Sequence, residues 1–182
     1  RGALAGPVVA AAVIVPPGAA LRGVWAEVRD SKLLSPESRL ALVQPIKQAA
    51  LAWGVGVVEA RVIDEIGIAP ATRMAMIYAL EALASQPDFL LIDWVKLPQT
   101  GLPQICVPKA DRKMASVAAA SILANVKRDQ LLTELGEKFP LYGFGEHKGY
   151  GTRHHITALS EHGPCAEHRH SFAPIAVRDT LW

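Results

Sequence analysis

The sequence is poor in cysteine and in uncompensated charge, and each shortage narrows the class of protein. Its two cysteines, Cys106 and Cys165, stand far apart in a chain of 182 residues. The disulfide framework of a small secreted domain is therefore not expected, and a reducing, cytoplasmic setting fits best. The net charge is only +2, so a polyanionic partner must be met by local basic patches rather than by a general field.

Long apolar runs are also missing, and no segment has the length of a membrane span. The run from Ala3 to Val15 follows Arg1 and is similar to a signal peptide. However, Gly6-Pro7 divides this run, and Pro16-Pro17-Gly18 is typical of a turn rather than of a cleavage site. A buried strand is the favoured interpretation, and no association with a membrane is expected.

Apolar runs and helix-start patterns alternate along the chain. Strands are predicted over 7–15, 55–60, 89–93 and 104–107, and helices over 36–52, 63–83 (broken near Gly67 or Pro70), 111 to about 136, and 153–162. Ser35-Pro36 is typical of a helix start, with serine as N-cap and proline in the first turn. The alternation predicts an α/β fold with a main domain over 1–140 and a C-terminal appendage over 141–182.

One aspartate follows a predicted strand, and another precedes a predicted helix. Asp93 ends the apolar run that begins at Phe89, and Asp111 stands where an N-cap belongs, ahead of an alanine-rich helix. Ligands of open α/β sheets gather beyond the carboxyl ends of strands, so both carboxylates could meet in one crevice and bind Mg²⁺ or Mn²⁺. From composition alone, an ordinary capped helix packed on the sheet explains Asp111 as well.

Five stretches in fixed order form a larger pattern. They are Arg1-Gly2-Ala3-Leu4-Ala5-Gly6-Pro7-Val8-Val9-Ala10, Asp30-Ser31-Lys32, Leu91-Ile92-Asp93, Lys109-Ala110-Asp111 with 116–124, and His147-Lys148-Gly149-Tyr150-Gly151-Thr152 with Ser171-Phe172-Ala173-Pro174. Together they resemble ribonuclease HII, the bacterial type 2 ribonuclease H, over essentially the whole chain. The resemblance implies a ribonuclease H-like mixed sheet flanked by helices, with a C-terminal helical extension.

The resemblance also implies an endonuclease that hydrolyses RNA in RNA–DNA hybrids and at single ribonucleotides embedded in duplex DNA, leaving 5′-phosphate and 3′-hydroxyl ends. Two divalent ions about 4 Å apart, Mg²⁺ or Mn²⁺, activate the water and stabilise the leaving oxygen in such chemistry. The family holds them with four carboxylates, and Asp93 and Asp111 match two of these. A monomer acting on such duplexes is expected.

The match begins inside the family's first motif. That motif reads Asp-Glu-Ala-Gly-Arg-Gly, and Arg1 and Gly2 take its last two places. The other two metal-binding carboxylates and the first central strand are therefore expected to be absent from this sequence, and the chain itself is expected to be inactive. It resembles a fragment of the natural protein.

By the same resemblance, several residues are expected to contact the nucleic acid. Arg1 and Gly2 match the backbone and side chain that contact the 2′-hydroxyl and phosphate of a ribonucleotide, and Tyr150 matches a tyrosine that stacks on the following deoxynucleotide. The 2′-hydroxyl distinguishes RNA from DNA, and an aromatic ring offers a stacking plane. The remaining candidates are lysines expected to contact phosphates: Lys32, Lys113 and Lys148.

Some interpretations stay open beside the nuclease. A non-catalytic protein that binds hybrids would carry the same surface without the full set of carboxylates. A domain for a small phosphorylated metabolite is a weaker alternative, because no glycine-rich phosphate loop follows a strand. A zinc site is a minor alternative with ligands spaced as His162, Cys165, His168 and His170.

The sequence also departs from the family pattern close to both aspartates. Trp94-Val95 stands where the family usually has Gly-Asn, Ala110 replaces a common glycine, and Met114 replaces a frequent serine. These departures put the details of the active-site loop in question rather than Asp93 and Asp111 themselves.

Overall fold

The computed structural model describes residues 2–19, 22–28 and 33–178. Its strands are β1 (Val8–Ile14), β2 (Ala52–Val58), β3 (Leu90–Ile92) and β4 (Gln104–Cys106). Its helices are α1 (Val24–Glu27), α2 (Pro36–Ala49), α3 (Ala60–Ile66), α4 (Ile68–Glu81), α5 (Ala115–Lys138), α6 (Phe144–His147), α7 (Arg153–His162) and α8 (Ile175–Arg178). Two predicted contact residues, Arg1 and Lys32, lie outside the described residues.

The predicted starts of the helices over 36–52 and 153–162 are confirmed. Ser35 precedes α2, and its hydroxyl accepts a hydrogen bond from the Ser38 N–H at 3.2 Å. Thr152 caps α7 in the same way, through the His155 N–H at 3.3 Å. The break near Gly67 is also confirmed, because α3 ends before it and α4 begins after it. The predicted bounds of β2 were wrong by several residues, since α2 ends earlier than its composition indicates.

The predicted start of the long helix was wrong. Asp111 does not cap α5 but lies in a short 3₁₀ turn over Ala110–Arg112, which Lys109 enters with a left-handed backbone (φ 59°). Helix α5 begins at Ala115, and the Met114 carbonyl accepts from the Ala118 N–H at 2.9 Å. Asp111 therefore lies in a separate turn that precedes the first residue of α5.

Glycines allow several backbones to approach closely. A Cβ on Gly56 of β2 would lie 2.0 Å from the Ala75 carbonyl oxygen of α4, and one on Gly54 would lie 2.2 Å from the Ala79 oxygen. Gly136 was expected to stop α5, but the helix continues through it. There a Cβ would lie 2.8 Å from the Gly145 nitrogen of α6, so this glycine permits close packing.

The described chain forms two compact units. The first contains residues 2–8, 58–72 and 127–178, and the second contains residues 9–19, 22–28, 33–57 and 73–126. The strands occur as two separate pairs, β1 with β2 and β3 with β4. The predicted α/β class is confirmed. The predicted domain boundary at residue 140 stays a prediction.

Each unit has its own buried apolar side chains. In the second unit, the small-residue face of α5 packs against α1 and α2 through Trp25, Ile46, Ala118, Ala119 and Ile122. In the first unit, the core contains Ala5, Leu132, Tyr142, Phe144 and Ala158. Among the described helices, none is both long enough and apolar enough to cross a membrane.

The facing glycines of α5 and α6 give a matched test of this packing. We expect Gly136→Ala to lower the free energy of unfolding by about 1–3 kcal/mol, because its methyl group overlaps backbone that cannot swing away. Gly145→Ala is the control, since its Cβ meets only the Thr133 Cα at 3.8 Å. It should be neutral or stabilising by up to about 1 kcal/mol through helix propensity. Urea unfolding of both variants measures the difference, and equal effects would contradict the close approach.

Candidate functional site

The pairing of β3 with β4 determines where Asp93 lies. The strands run parallel, with Leu90 opposite Gln104 and Ile92 opposite Cys106. Parallel strands in register end at the same edge, so the chain leaves both strands side by side. The ladder continues one step further, because the Val107 N–H donates to the Ile92 carbonyl at 3.0 Å. Asp93 is therefore held beside the segment that follows β4, and its side chain is half-buried.

A hydrogen bond joins Asp93 to the turn that carries Asp111. The Asp93 carboxylate (Oδ1) accepts from the Ala110 N–H at 3.3 Å. From that nitrogen, covalent geometry limits the Asp111 Cα to within about 9 Å of the same oxygen. Ala110 is fully buried and Asp111 retains 9% of its accessible surface. The structure thus brings the two predicted metal ligands into one neighbourhood of the second unit.

The chemistry of this pair suits a hard divalent cation. Carboxylate oxygens are the ligands that Mg²⁺ and Mn²⁺ prefer, and one of these carboxylates is largely removed from water. The pair is nevertheless only part of a ligand set. Within residues 2–19, 22–28 and 33–178, no group of three or more His, Cys, Asp or Glu side chains is placed to hold a metal ion. The residues present therefore fit half of the four-carboxylate arrangement that the resemblance implies.

Exposed cationic side chains flank the buried Asp111 in the sequence. Lys113, a predicted phosphate contact, is exposed two residues after it, and Lys109 and Arg112 are exposed as well.

The loop after Asp93 contains Trp94, one of the departures from the family pattern noted in the sequence. Trp94 takes a backbone conformation (φ 85°) that glycine adopts most easily, and its side chain is 52% exposed. This explains why glycine would suit the position, and the chain accommodates tryptophan there by leaving its ring outside the core.

In the first unit, the segment that follows Gly2 is held on both sides. The Leu4 N–H donates to the Gly149 carbonyl at 2.7 Å, and the Arg169 N–H donates to the Leu4 carbonyl at 2.8 Å. The buried Arg169 guanidinium donates to the Gly6 and Pro7 carbonyls at 3.0 and 3.2 Å. Burial lowers the pKa of Arg169 to about 10, so it remains charged at neutral pH and holds these carbonyls.

This packing places Leu4 and Ala5, which follow Gly2 closely in the sequence, against the loop that carries Tyr150. Gly149 (φ 77°) lies against Ala5, and an added Cβ would lie 2.5 Å from the Ala5 carbonyl oxygen. Around Gly2, by contrast, an added Cβ would meet no described atom within 4 Å. Among the described residues, the Gly2 main chain is therefore open on that side.

Tyr150 has a fixed backbone and an accessible ring. Its N–H donates to the His147 carbonyl at 3.0 Å, and its carbonyl accepts from the Thr152 N–H at 2.8 Å. The side chain is 42% exposed, and its hydroxyl accepts from Arg128 (Nη1) at 3.4 Å. An exposed ring on a fixed backbone is the arrangement that base stacking needs.

Lys148 is partly used within the protein. Its backbone is left-handed (φ 51°), and its ammonium group donates to the Thr133 hydroxyl at 2.9 Å and to the Gly145 carbonyl. A lysine has three N–H donors, so one remains for a phosphate. This predicted contact therefore also has a structural role, which its sequence motif does not indicate.

Sequence reasoning missed two groups that hold Tyr150. Arg128 is fixed by Asp129, whose Oδ1 accepts from the Arg128 Nε at 2.9 Å, and no sequence pattern links it to a residue in a distant loop. His155 is fully buried, and its Nδ1 lies 2.9 Å from the Tyr150 carbonyl oxygen. A pattern could have found His155, because it shares one helical face with Ala158 and Leu159 of α7.

His155 belongs to a buried cluster that includes one proposed zinc ligand. Its Nε2 lies 3.0 Å from the Nε2 of His168, which is also fully buried. Burial lowers the pKa of both imidazoles, that of His168 to about 4, and a charge on His155 further disfavours protonation of His168. Burial likewise raises the pKa of the Cys165 thiol. At neutral pH these groups are therefore uncharged.

Comparisons with known proteins find similarity to one family over nearly the whole chain. A family model described as Ribonuclease HII matches residues 1–175. The ribonuclease HII of Bacillus thuringiensis (strain Al Hakam) is 51% identical over 175 residues, which cover 96% of this chain and 66% of that protein. The ribonuclease HII of Dehalococcoides mccartyi is also 51% identical, over 96% of this chain and 82% of its own length. The chain thus spans 66% of the length of its Bacillus relative.

Solved structures share the fold. The crystal structure of ribonuclease H2 from Pyrococcus horikoshii OT3 superposes with a TM-score of 0.80 at 26% identity, covering 99% of this chain and 93% of that one. A match over nearly the full length of both chains supports the α/β architecture described above.

The buried histidines predict a pH dependence of stability. The pKa of His168 is near the usual 6.5 when unfolded and about 4 when folded, so its contribution is complete above pH 6.5 and is lost as the pH falls towards 4. The expected loss is about 3 kcal/mol in the free energy of unfolding. Urea unfolding between pH 7 and pH 4 measures it.

Since carboxylates also titrate in this range, variants isolate the histidine contribution. His168→Gln should flatten the pH dependence, whereas His162→Gln, at an exposed histidine of α7, should leave it unchanged. The same pH dependence in both variants would contradict a neutral, buried His168.

Proposed function

Because the chain belongs to the ribonuclease HII family, we propose that the protein from which it comes is an endonuclease acting on RNA–DNA hybrids and on single ribonucleotides in duplex DNA. Cleavage leaves 5′-phosphate and 3′-hydroxyl ends. The observation that carries this proposal is the hydrogen bond from the Ala110 N–H to Asp93, which joins the strand-end carboxylate to the turn of Asp111. The family resemblance supplies the reaction, and this geometry supplies a place for it.

Asp93 and Asp111 are the residues that hold the divalent ions, Mg²⁺ or Mn²⁺. When bound, two such ions activate the attacking water and stabilise the leaving oxygen of the phosphodiester. Asp93 offers a half-buried carboxylate that accepts a hydrogen bond from a backbone N–H, and Asp111 offers a buried one in the middle of a tight turn. The other two carboxylates of the set belong to the Asp-Glu pair that the family carries ahead of Arg-Gly.

The first unit provides the contacts to the duplex. Tyr150 stacks on the deoxynucleotide that follows the ribonucleotide, and Gly2 offers its main chain to the 2′-hydroxyl and phosphate. Lys148 contacts a phosphate with its remaining donor, and Lys113 does so from the second unit. The roles of Arg1 and Lys32 and action as a monomer rest on the resemblance alone, whereas the cytoplasmic setting rests on the low cysteine content.

A second function is favoured by the incomplete ligand set. Within the described ranges only Asp93 and Asp111 match the family's carboxylates, and no three potential ligands converge. A chain with this composition is expected to bind hybrids through Tyr150 and its neighbours without cutting them. Binding and cleavage assays on the same protein separate the two functions.

The catalytic proposal predicts a large loss of cleavage when the Asp93 carboxylate is replaced by a neutral amide. The chain is extended at its N-terminus with the Asp-Glu-containing segment of the Bacillus relative and supplied with Mg²⁺ and a duplex containing one ribonucleotide. Asp93→Asn in this chain should reduce the cleavage rate by at least about 10³-fold, because the neutral amide cannot hold the cation. Single-turnover cleavage on a denaturing gel measures the rate.

Asp88→Asn is the matched control, because Asp88 is an exposed aspartate just before β3. It should cleave as fast as the unaltered protein. Normal cleavage by the Asp93 variant would remove the metal-binding role of this residue and with it the catalytic proposal.

The substrate proposal predicts a loss of binding on removing the Tyr150 ring. Tyr150→Ala should weaken binding of a ribonucleotide-containing duplex by about 1–3 kcal/mol, which is the usual value of one stacked base. Tyr150→Phe keeps the stacking plane and should bind nearly as well. Tyr78→Ala, at a tyrosine of α4 that is 44% exposed, is the control and should not change affinity. Fluorescence anisotropy without metal measures all three, and unchanged affinity of Tyr150→Ala would rule out stacking.

A further inference from the structure

A chain of hydrogen bonds runs through the buried histidines of the first unit to the Tyr150 backbone. The Cys165 N–H donates to the Nδ1 of His168 at 2.9 Å. The Nε2 of His168 lies 3.0 Å from the Nε2 of His155, and the Nδ1 of His155 lies 2.9 Å from the Tyr150 carbonyl oxygen. Both imidazoles are fully buried, so water does not substitute for these contacts.

The two ends of this chain determine where each proton lies. A backbone N–H can only donate and a carbonyl oxygen can only accept, while a neutral imidazole donates through one nitrogen and accepts through the other. His168 therefore accepts at Nδ1 and donates at Nε2. His155 accepts at Nε2 and donates at Nδ1, to Tyr150. The Cys165 carbonyl lies 3.3 Å from the same His168 nitrogen, but the shorter bond from the N–H favours acceptance at this position.

The backbone at Tyr150 needs such hydrogen bonds because its own composition does not restrict it. Glycines flank it on both sides, and Gly149 has a positive φ of 77°. Glycine restricts the backbone less than any other residue. The ring is 42% exposed, so packing alone does not fix its direction. Bonds to the peptide groups of Tyr150 therefore help to set the direction of the ring, together with the bond from Arg128 to its hydroxyl.

We propose that His155 and His168 are positioning residues for Tyr150. His155 donates to the Tyr150 carbonyl and fixes the plane of that peptide, so that the ring stands ready to stack on the deoxynucleotide. His168 selects the His155 tautomer that can make this bond. Neither histidine contacts nucleic acid in this role, which rests on the stacking function proposed above for Tyr150.

A binding experiment without metal tests the proposal. The probe is a DNA duplex with one ribonucleotide followed by 2-aminopurine, whose fluorescence is quenched when a ring stacks on it. His155→Leu removes the donor and keeps an apolar side chain, and it should raise Kd by about tenfold, as for loss of one stacked base, and abolish the quenching. His155→Asn retains an N–H near the original Nδ1 and should restore both. His154→Leu, at the exposed neighbour on α7, should behave as the unaltered chain.

A double-variant cycle separates positioning from a general loss of structure. If His155 acts through the ring, His155→Leu adds no further loss of affinity in a Tyr150→Ala background. An equal loss in both backgrounds would overturn the proposal, as would normal quenching by a folded His155→Leu variant. If Tyr150→Ala itself leaves affinity and quenching unchanged, the stacking function fails, which is a distinct result.

A measurement on the unaltered chain covers the case in which His155→Leu does not fold. Nitrogen-15 spectra of histidine-labelled protein at pH 7 distinguish the two tautomers of each ring. We expect His155 to carry its proton on Nδ1 and His168 on Nε2. The reverse tautomers, or a charged ring at either position, would overturn the proposal.

Discussion

The parallel register of β3 and β4 is the constraint on which the candidate metal site depends. Once Ile92 lies opposite Cys106, the two chains leave the sheet together, and Asp93 comes within hydrogen-bonding distance of the Ala110 N–H. A shift of one residue would turn every side chain of β3 to the other face and would move Asp93 away from Asp111. Buried Leu90 and Ile92 oppose such a shift, because it would expose them and bury Leu91. Apolar packing thus determines where a carboxylate lies.

In the first unit, buried polar groups rather than apolar ones set the geometry. Arg169, His155 and His168 are all at most 2% exposed, and each makes hydrogen bonds to backbone groups or to another ring. Burial of a polar group is costly unless such bonds are made, so a small displacement of any partner is strongly opposed. The result is a rigid surround for Gly149–Gly151, a segment whose own composition favours mobility.

The sequence predicts elements that local chemistry determines. Ser35-Pro36 and Thr152 locate helix starts, because a cap needs only a few neighbouring residues. Asp111 was placed wrongly as a cap for the same reason: its local pattern suits that role, but bonds between residues distant in sequence hold it in a turn before α5. Gly136 was likewise predicted to end α5, but this glycine instead allows α6 to approach the helix closely.

The candidate site was predictable to the extent that it follows from motifs. Asp93, Asp111 and Tyr150 carry motif positions, whereas Arg128 and His155 reach Tyr150 only through the folded chain.

These two groups of residues differ in what they need from the rest of the protein. Two carboxylates brought together, as Asp93 and Asp111 are, disfavour each other unless a cation lies between them. Among the described residues, the backbone bonds of Gly149 and Tyr150 come from Leu4, His147, Thr152 and His155, all of which belong to the first unit. The bonds that hold the Tyr150 loop and the bond that joins Asp93 to Ala110 therefore lie in different units. Binding and cleavage are thus open to separate experimental tests.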